Sequence, residues 1–109
     1  MRFFRSQRVG SLIEKELGTI MERELEWNGA LVTIVGVDVE KKLQYAKVRI
    51  SVIPSEQANA SLVQLEHTAG YLQHLLGKKI NIKPMPRISF ELDRGQENAA
   101  RVEKVILKK

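Results

Sequence analysis

The chain has 109 residues, 43% of them hydrophobic and 28% charged, and no cysteine. That composition supports one buried core, excludes a disordered or fibrous protein, and leaves no disulfide framework, thiolate nucleophile or sulfur-ligated zinc site. The net charge is +5, and the excess is C-terminal, because residues 78–109 hold nine basic side chains against four acidic ones; a polyanionic partner, nucleic acid first and an anionic membrane surface second, and a merely solvated basic surface fit this charge equally well.

No run approaches the ~20 apolar residues of a membrane span, and Met1 to Ser6 carries positive charge without the apolar core and cleavage site of a signal peptide. A cytoplasmic protein is therefore expected. No internal repeat, low-complexity tract or linker divides the sequence, so residues 1–109 are read as a single domain.

Val9, Leu12, Ile13, Leu17, Ile20, Met21 and Leu25 recur at three- and four-residue intervals and predict a first helix, with Asn28-Gly29 as its stop. Leu31 to Val39 is β-branched and almost uninterruptedly apolar, which suggests a central strand. In Leu43 to Ile53, Ala46, Val48, Ile50 and Val52 alternate with Tyr45, Lys47, Arg49 and Ser51, the pattern of a half-buried strand. Glu40, Lys41 and Lys42 join the two as an antiparallel hairpin, although the turn lacks the expected Gly or Asn.

After Pro54, Ser55 is a candidate N-cap for a second helix carrying Ala58, Leu62, Leu65, Ala69, Leu72 and Leu76, with Gly77 as its stop. Ile80, Ile82, Ile88, Phe90 and Leu92 then predict a third strand, which Pro84 and Pro86 restrict to an edge or to two short pieces. Ala99, Val102, Val105 and Ile106 suggest a short C-terminal helix. The sum is an α+β fold of two layers, helices on one side of a three-stranded sheet that the crossover helix allows to be mixed.

Little supports catalysis. His67 and His74 share a helix face but stand roughly ten ångström apart along it, too far to chelate one metal ion without further ligands. The glutamates of the first helix are interleaved with Lys15 and Arg23 as on a solvated surface, and no phosphate-cradling glycine loop is present. No enzyme activity, metal or cofactor is expected. The candidate RNA-binding residues are Arg5, Arg8, Lys47, Arg49, Lys78, Lys79, Lys83 and Arg87. Six aromatics, scattered along the chain, do not suggest a stacking platform, so recognition through phosphates and shape is expected.

Several strings, collinear over nearly the whole chain, resemble the ribosome-binding factor A family. They are Arg5-Ser6-Gln7-Arg8-Val9, Leu31 to Val39, Leu43 to Val48, Gly70-Tyr71-Leu72, Leu75-Leu76-Gly77-Lys78 and Pro86 to Phe90. The resemblance implies a type II KH-like fold, ordered α-β-β-α-(kink)-α-β, with the helix broken at Thr68, Ala69 and Gly70. Here Gln73 stands where the family usually has arginine, Glu40-Lys41-Lys42-Leu43 replaces the usual hairpin end, and no G-x-x-G string occurs. The resemblance further implies a bacterial, monomeric, non-enzymatic assembly factor. Its partners would be the free small (30S) ribosomal subunit and 16S rRNA, near the 5′-terminal helix and the decoding region. A stand-alone single-stranded RNA binder and a protein-interaction domain are the alternatives.

Overall fold

The computed structural model describes residues 2–93. Its elements are α1 (Arg2–Glu24), β1 (Leu31–Val39), β2 (Tyr45–Ile53), a 3-10 turn (Ser55–Gln57), α2 (Ala58–Lys79) and β3 (Arg87–Leu92). The sheet order is β1-β2-β3, with β1 antiparallel and β3 parallel to β2. The parallel pair is possible because α2 carries the chain back across the sheet. The C-terminal helix expected from Ala99 to Ile106 lies outside the described residues.

Both helices pack on one face of the sheet, α1 chiefly over β1 and α2 over β3. Ile13, Leu17 and Ile20 of α1, Leu65, Leu72 and Leu76 of α2, and Ala46, Val48 and Ile50 of β2 have no exposed surface. Each large aliphatic side chain among them contributes about 1.5–3 kcal/mol by leaving water. Gly10 lets α1 lie close on β1, since a β-carbon there would stand 2.9 Å from the Val37 carbonyl oxygen.

Five expectations need correction. The central strand is β2, not β1: β1 is an edge, its register shifts between Ile34 and Gly36, and Leu31 and Val35 face outward. An apolar run therefore marked an edge strand with only one face covered. Second, α1 ends at Glu24, ahead of Asn28-Gly29.

Third, α2 starts after the 3-10 turn rather than at Ser55, with no side-chain cap bond, and it runs through Gly77 to Lys79. Fourth, Ile80 to Pro86 is not strand; Pro84 and Pro86 have no N–H to give a ladder. The Ile53–Pro54 and Lys83–Pro84 peptide bonds are cis.

The fifth correction concerns the expected break at Thr68, Ala69 and Gly70, because α2 is a continuous helix across them. Gly70 is absent from the positive-φ residues, and the Thr68 hydroxyl donates 2.9 Å back to the Gln64 carbonyl within the helix. The buried positions Leu65, Leu72 and Leu76 hold one phase across Gly70. One glycine in a helix interior costs only about 1 kcal/mol, which that packing offsets.

The hairpin turn without glycine is closed by Leu43, at φ 60. Its N–H donates to the Glu40 carbonyl at 2.9 Å, and its side chain is 5% exposed. The left-handed backbone costs about 1–2 kcal/mol, which burial of the leucine side chain compensates.

Candidate nucleic-acid interface

The topology gathers one end of the molecule from five segments. The last residue of β1 and the first of β2 flank the hairpin turn, and the Arg87 N–H at the start of β3 donates 2.9 Å to the Gln44 carbonyl of that turn. The last turn of α2 lies just upstream of β3 in the chain. The first turns of α1 reach the same end, because Arg5, Arg8 and Leu12 line one open groove with Ile82.

This end therefore brings together Arg5, Arg8, Lys78, Lys79, Lys83 and Arg87. All six are exposed. Lys78 and Lys79 occupy the last turn of α2, where cations complement the helix dipole. The turn adds the exposed Lys41 and Lys42, which the sequence presented only as a polar connection. Their proximity to the other cations follows from the pairing of β3 with β2, a long-range relationship that local spacing does not encode.

The opposite end collects Glu22, Glu24 and Glu26 from the end of α1 and its exit, with Asp93 after β3. There Gln64 of α2 donates 3.2 Å to the Glu26 carbonyl, and the Tyr71 hydroxyl donates 2.9 Å to Glu24. The Glu24 carboxyl is held below its usual range by hydrogen bonds from Arg23 first and Tyr71 second, and the same bond pushes the Tyr71 phenol up. Acidic side chains thus outnumber Arg23 at this end, and the basic side chains outnumber Glu40 at the other.

The outer sheet face separates the remaining two candidates. Lys47 and Arg49 both project there, as alternation requires, but Arg49 is engaged. Its Nε donates 2.8 Å to Asp38 and its Nη1 stands 3.4 Å from Asp93. Lys47, opposite Asp38 in the ladder, is exposed, and among the described residues no ion pair engages it.

His67 and His74 are exposed on α2, and no cluster of three or more His, Cys, Asp or Glu among the described residues could hold a metal ion. No described helix is long and apolar enough to cross a membrane.

The Gln73 side chain is committed to the fold: its Nε2 donates 2.8 Å to the Pro86 carbonyl, and its Oε1 accepts 2.8 Å from the Ile88 N–H. The Pro86 carbonyl immediately precedes β3 and the Ile88 N–H lies within it, so one amide satisfies two backbone groups at the start of an edge that the sheet leaves unpaired.

The fold and this end define a small two-layer α+β domain with a concentrated basic surface. The family model of ribosome-binding factor A matches residues 5–106, and the chain belongs to that family. It is 36% identical over 106 residues to the ribosome-binding factor A of Thioalkalivibrio sulfidiphilus, covering 95% of this chain and 82% of the relative. With that of Chlorobium limicola the identity is 39% over 105 residues, covering 94% and 88%.

The crystal structure of ribosome-binding factor A from Thermus thermophilus superposes with a TM-score of 0.70 at 19% identity, covering 83% of this chain and 98% of that one. A Thermus thermophilus model of the factor, fitted into a cryo-electron microscopy map of a complex with the 30S subunit, gives 0.67 at 18% identity, covering 81% and 94%. These two likenesses concern the fold.

Proposed function

We propose that this chain binds the free small ribosomal subunit and assists maturation of 16S rRNA in the cytoplasm, as a non-enzymatic factor. Family membership supports the partner, and the observation that carries the mode of binding is the convergence of cations from five segments on one end. Arg5, Arg8, Lys78, Lys79, Lys83 and Arg87, joined by Lys41, Lys42 and Lys47, contact phosphates; Arg49 is instead paired with Asp38 and Asp93.

Neutralising phosphates releases condensed counterions, so affinity is strong at low salt and falls steeply as salt rises. A binder of this kind shifts RNA between conformations only by preferring one of them, and that needs no reacting group. Cosedimentation with purified subunits tests the binding. The ends of 16S rRNA in cells lacking the protein test the maturation role, with unprocessed precursor expected to accumulate and to disappear on complementation. Normal ends in such cells would contradict that role.

A further inference from the structure

Tyr45 opens β2 on the outer sheet face, and 58% of its surface is exposed. The parallel register sets Arg87 directly beside it, and Lys47 follows on the same face, paired with Ser89. Both cations are exposed, and no ion pair engages either among the described residues. The acidic neighbour of Lys47 is Asp38, whose carboxylate already accepts from Arg49 at 2.8 Å. The corner thus joins an open aromatic ring to the cations of Arg87 and Lys47, and the adjoining turn brings Lys41 and Lys42 together with one exposed carboxylate, Glu40, whose backbone N–H donates 3.2 Å to the Tyr45 carbonyl.

We propose that Tyr45 is a stacking site for one unpaired base of the bound RNA, with Arg87 and Lys47 holding the flanking phosphates. An exposed ring on a polar sheet face offers a base its flat surface, and the cations beside it offer charge to the phosphates on either side. A duplex, whose bases are already stacked, has no use for the ring, so the occupant is a single-stranded or bulged nucleotide. This inference rests on the small-subunit reading above and adds to it a contact that is not ionic.

The test is subunit binding, at several salt concentrations, by the wild type and by Tyr45→Phe, Tyr45→Leu and Tyr45→Ala. Stacking on an aromatic side chain predicts Phe within about twofold of wild type, and Ala and Leu weaker by roughly tenfold. The salt slope and melting midpoint should stay unchanged, since neither charge nor core is touched.

Binding of Tyr45→Ala at wild-type strength overturns the stacking site while leaving the functional reading intact. Full binding by Tyr45→Leu overturns it in favour of an apolar protein contact. A lowered melting midpoint that accounts for the lost binding reduces Tyr45 to a structural role and overturns the proposal as well. Failure of the wild type to bind subunits overturns the functional reading and this inference together.

Discussion

The guanidinium of Arg49 lies over Gly36, at the register shift of β1, where a β-carbon would run into it. Gly36→Ala should push the guanidinium aside and weaken its pairs with Asp38 and Asp93. Arg49 is the flexible partner and both pairs are partly exposed, so the expected loss is about 1 kcal/mol or less. Adding Gly36→Ala to Arg49→Ala should cost markedly less than it does in the wild type, a coupling that urea denaturation of the four proteins measures.

Gln73 makes both arms of its amide count on the edge of β3. Gln73→Ala should destabilise by about 1–3 kcal/mol, because two partly buried backbone groups lose their partner. Gln73→Glu keeps the acceptor for the Ile88 N–H but turns a carboxylate toward the Pro86 carbonyl. Its deficit relative to wild type should therefore be larger at neutral pH than at a pH where the new carboxyl is protonated. Denaturant midpoints at the two pH values check the sign.

Gly70 lies in unbroken helix, is exposed, and has open space where a β-carbon would stand. Gly70→Ala should raise stability by about 1 kcal/mol, the propensity difference between the two residues. A loss of stability would mean that the backbone at Gly70 departs from the helix.

The Tyr71 hydroxyl and Glu24 join α2 to α1. Because the pair lowers the Glu24 pKa, its contribution is present above the carboxyl's ordinary value of 4.5 and is lost as pH falls through the lowered one. Because it raises the Tyr71 pKa, the same contribution is present below the phenol's ordinary 10.0 and is lost as pH rises through the raised one. The stability difference between wild type and Tyr71→Phe should be flat between those limits and shrink beyond both. In Glu24→Gln, the Tyr71 ring resonance should titrate closer to 10.0.

Much of the architecture was legible because it is written in local periods. The stripe through Ile13, Leu17 and Ile20 and the alternation of Ala46, Val48 and Ile50 identified α1 and β2 and the face each buries. The rank of the strands was not legible, since Leu31 to Val39 is as apolar as a central strand and only the pairing shows it at the edge. The family pattern overstated Gly70, where the helical phase of the leucines was the better guide.

For the interface, Lys78, Lys79, Lys83 and Arg87 stood out as a local excess of charge. The contributions of Lys41 and Lys42 and the commitment of Arg49 to Asp38 and Asp93 depend on contacts between distant segments. Aromatic scarcity in the sequence likewise hid Tyr45, whose setting arises from the register between β2 and β3.

The most direct test of the central claim is the salt dependence of small-subunit binding by the wild type and by a variant carrying Lys41→Glu, Lys42→Glu, Lys78→Glu and Lys79→Glu. If about five phosphates are neutralised, log K for the wild type should fall against log salt with a slope of roughly −3.5 to −4.5. All four positions are exposed, so the variant should melt near the wild-type midpoint while binding far more weakly and with a flatter slope. A variant that binds subunits as tightly as wild type, with the same slope, would contradict the assignment of this end of the molecule to ribosomal RNA.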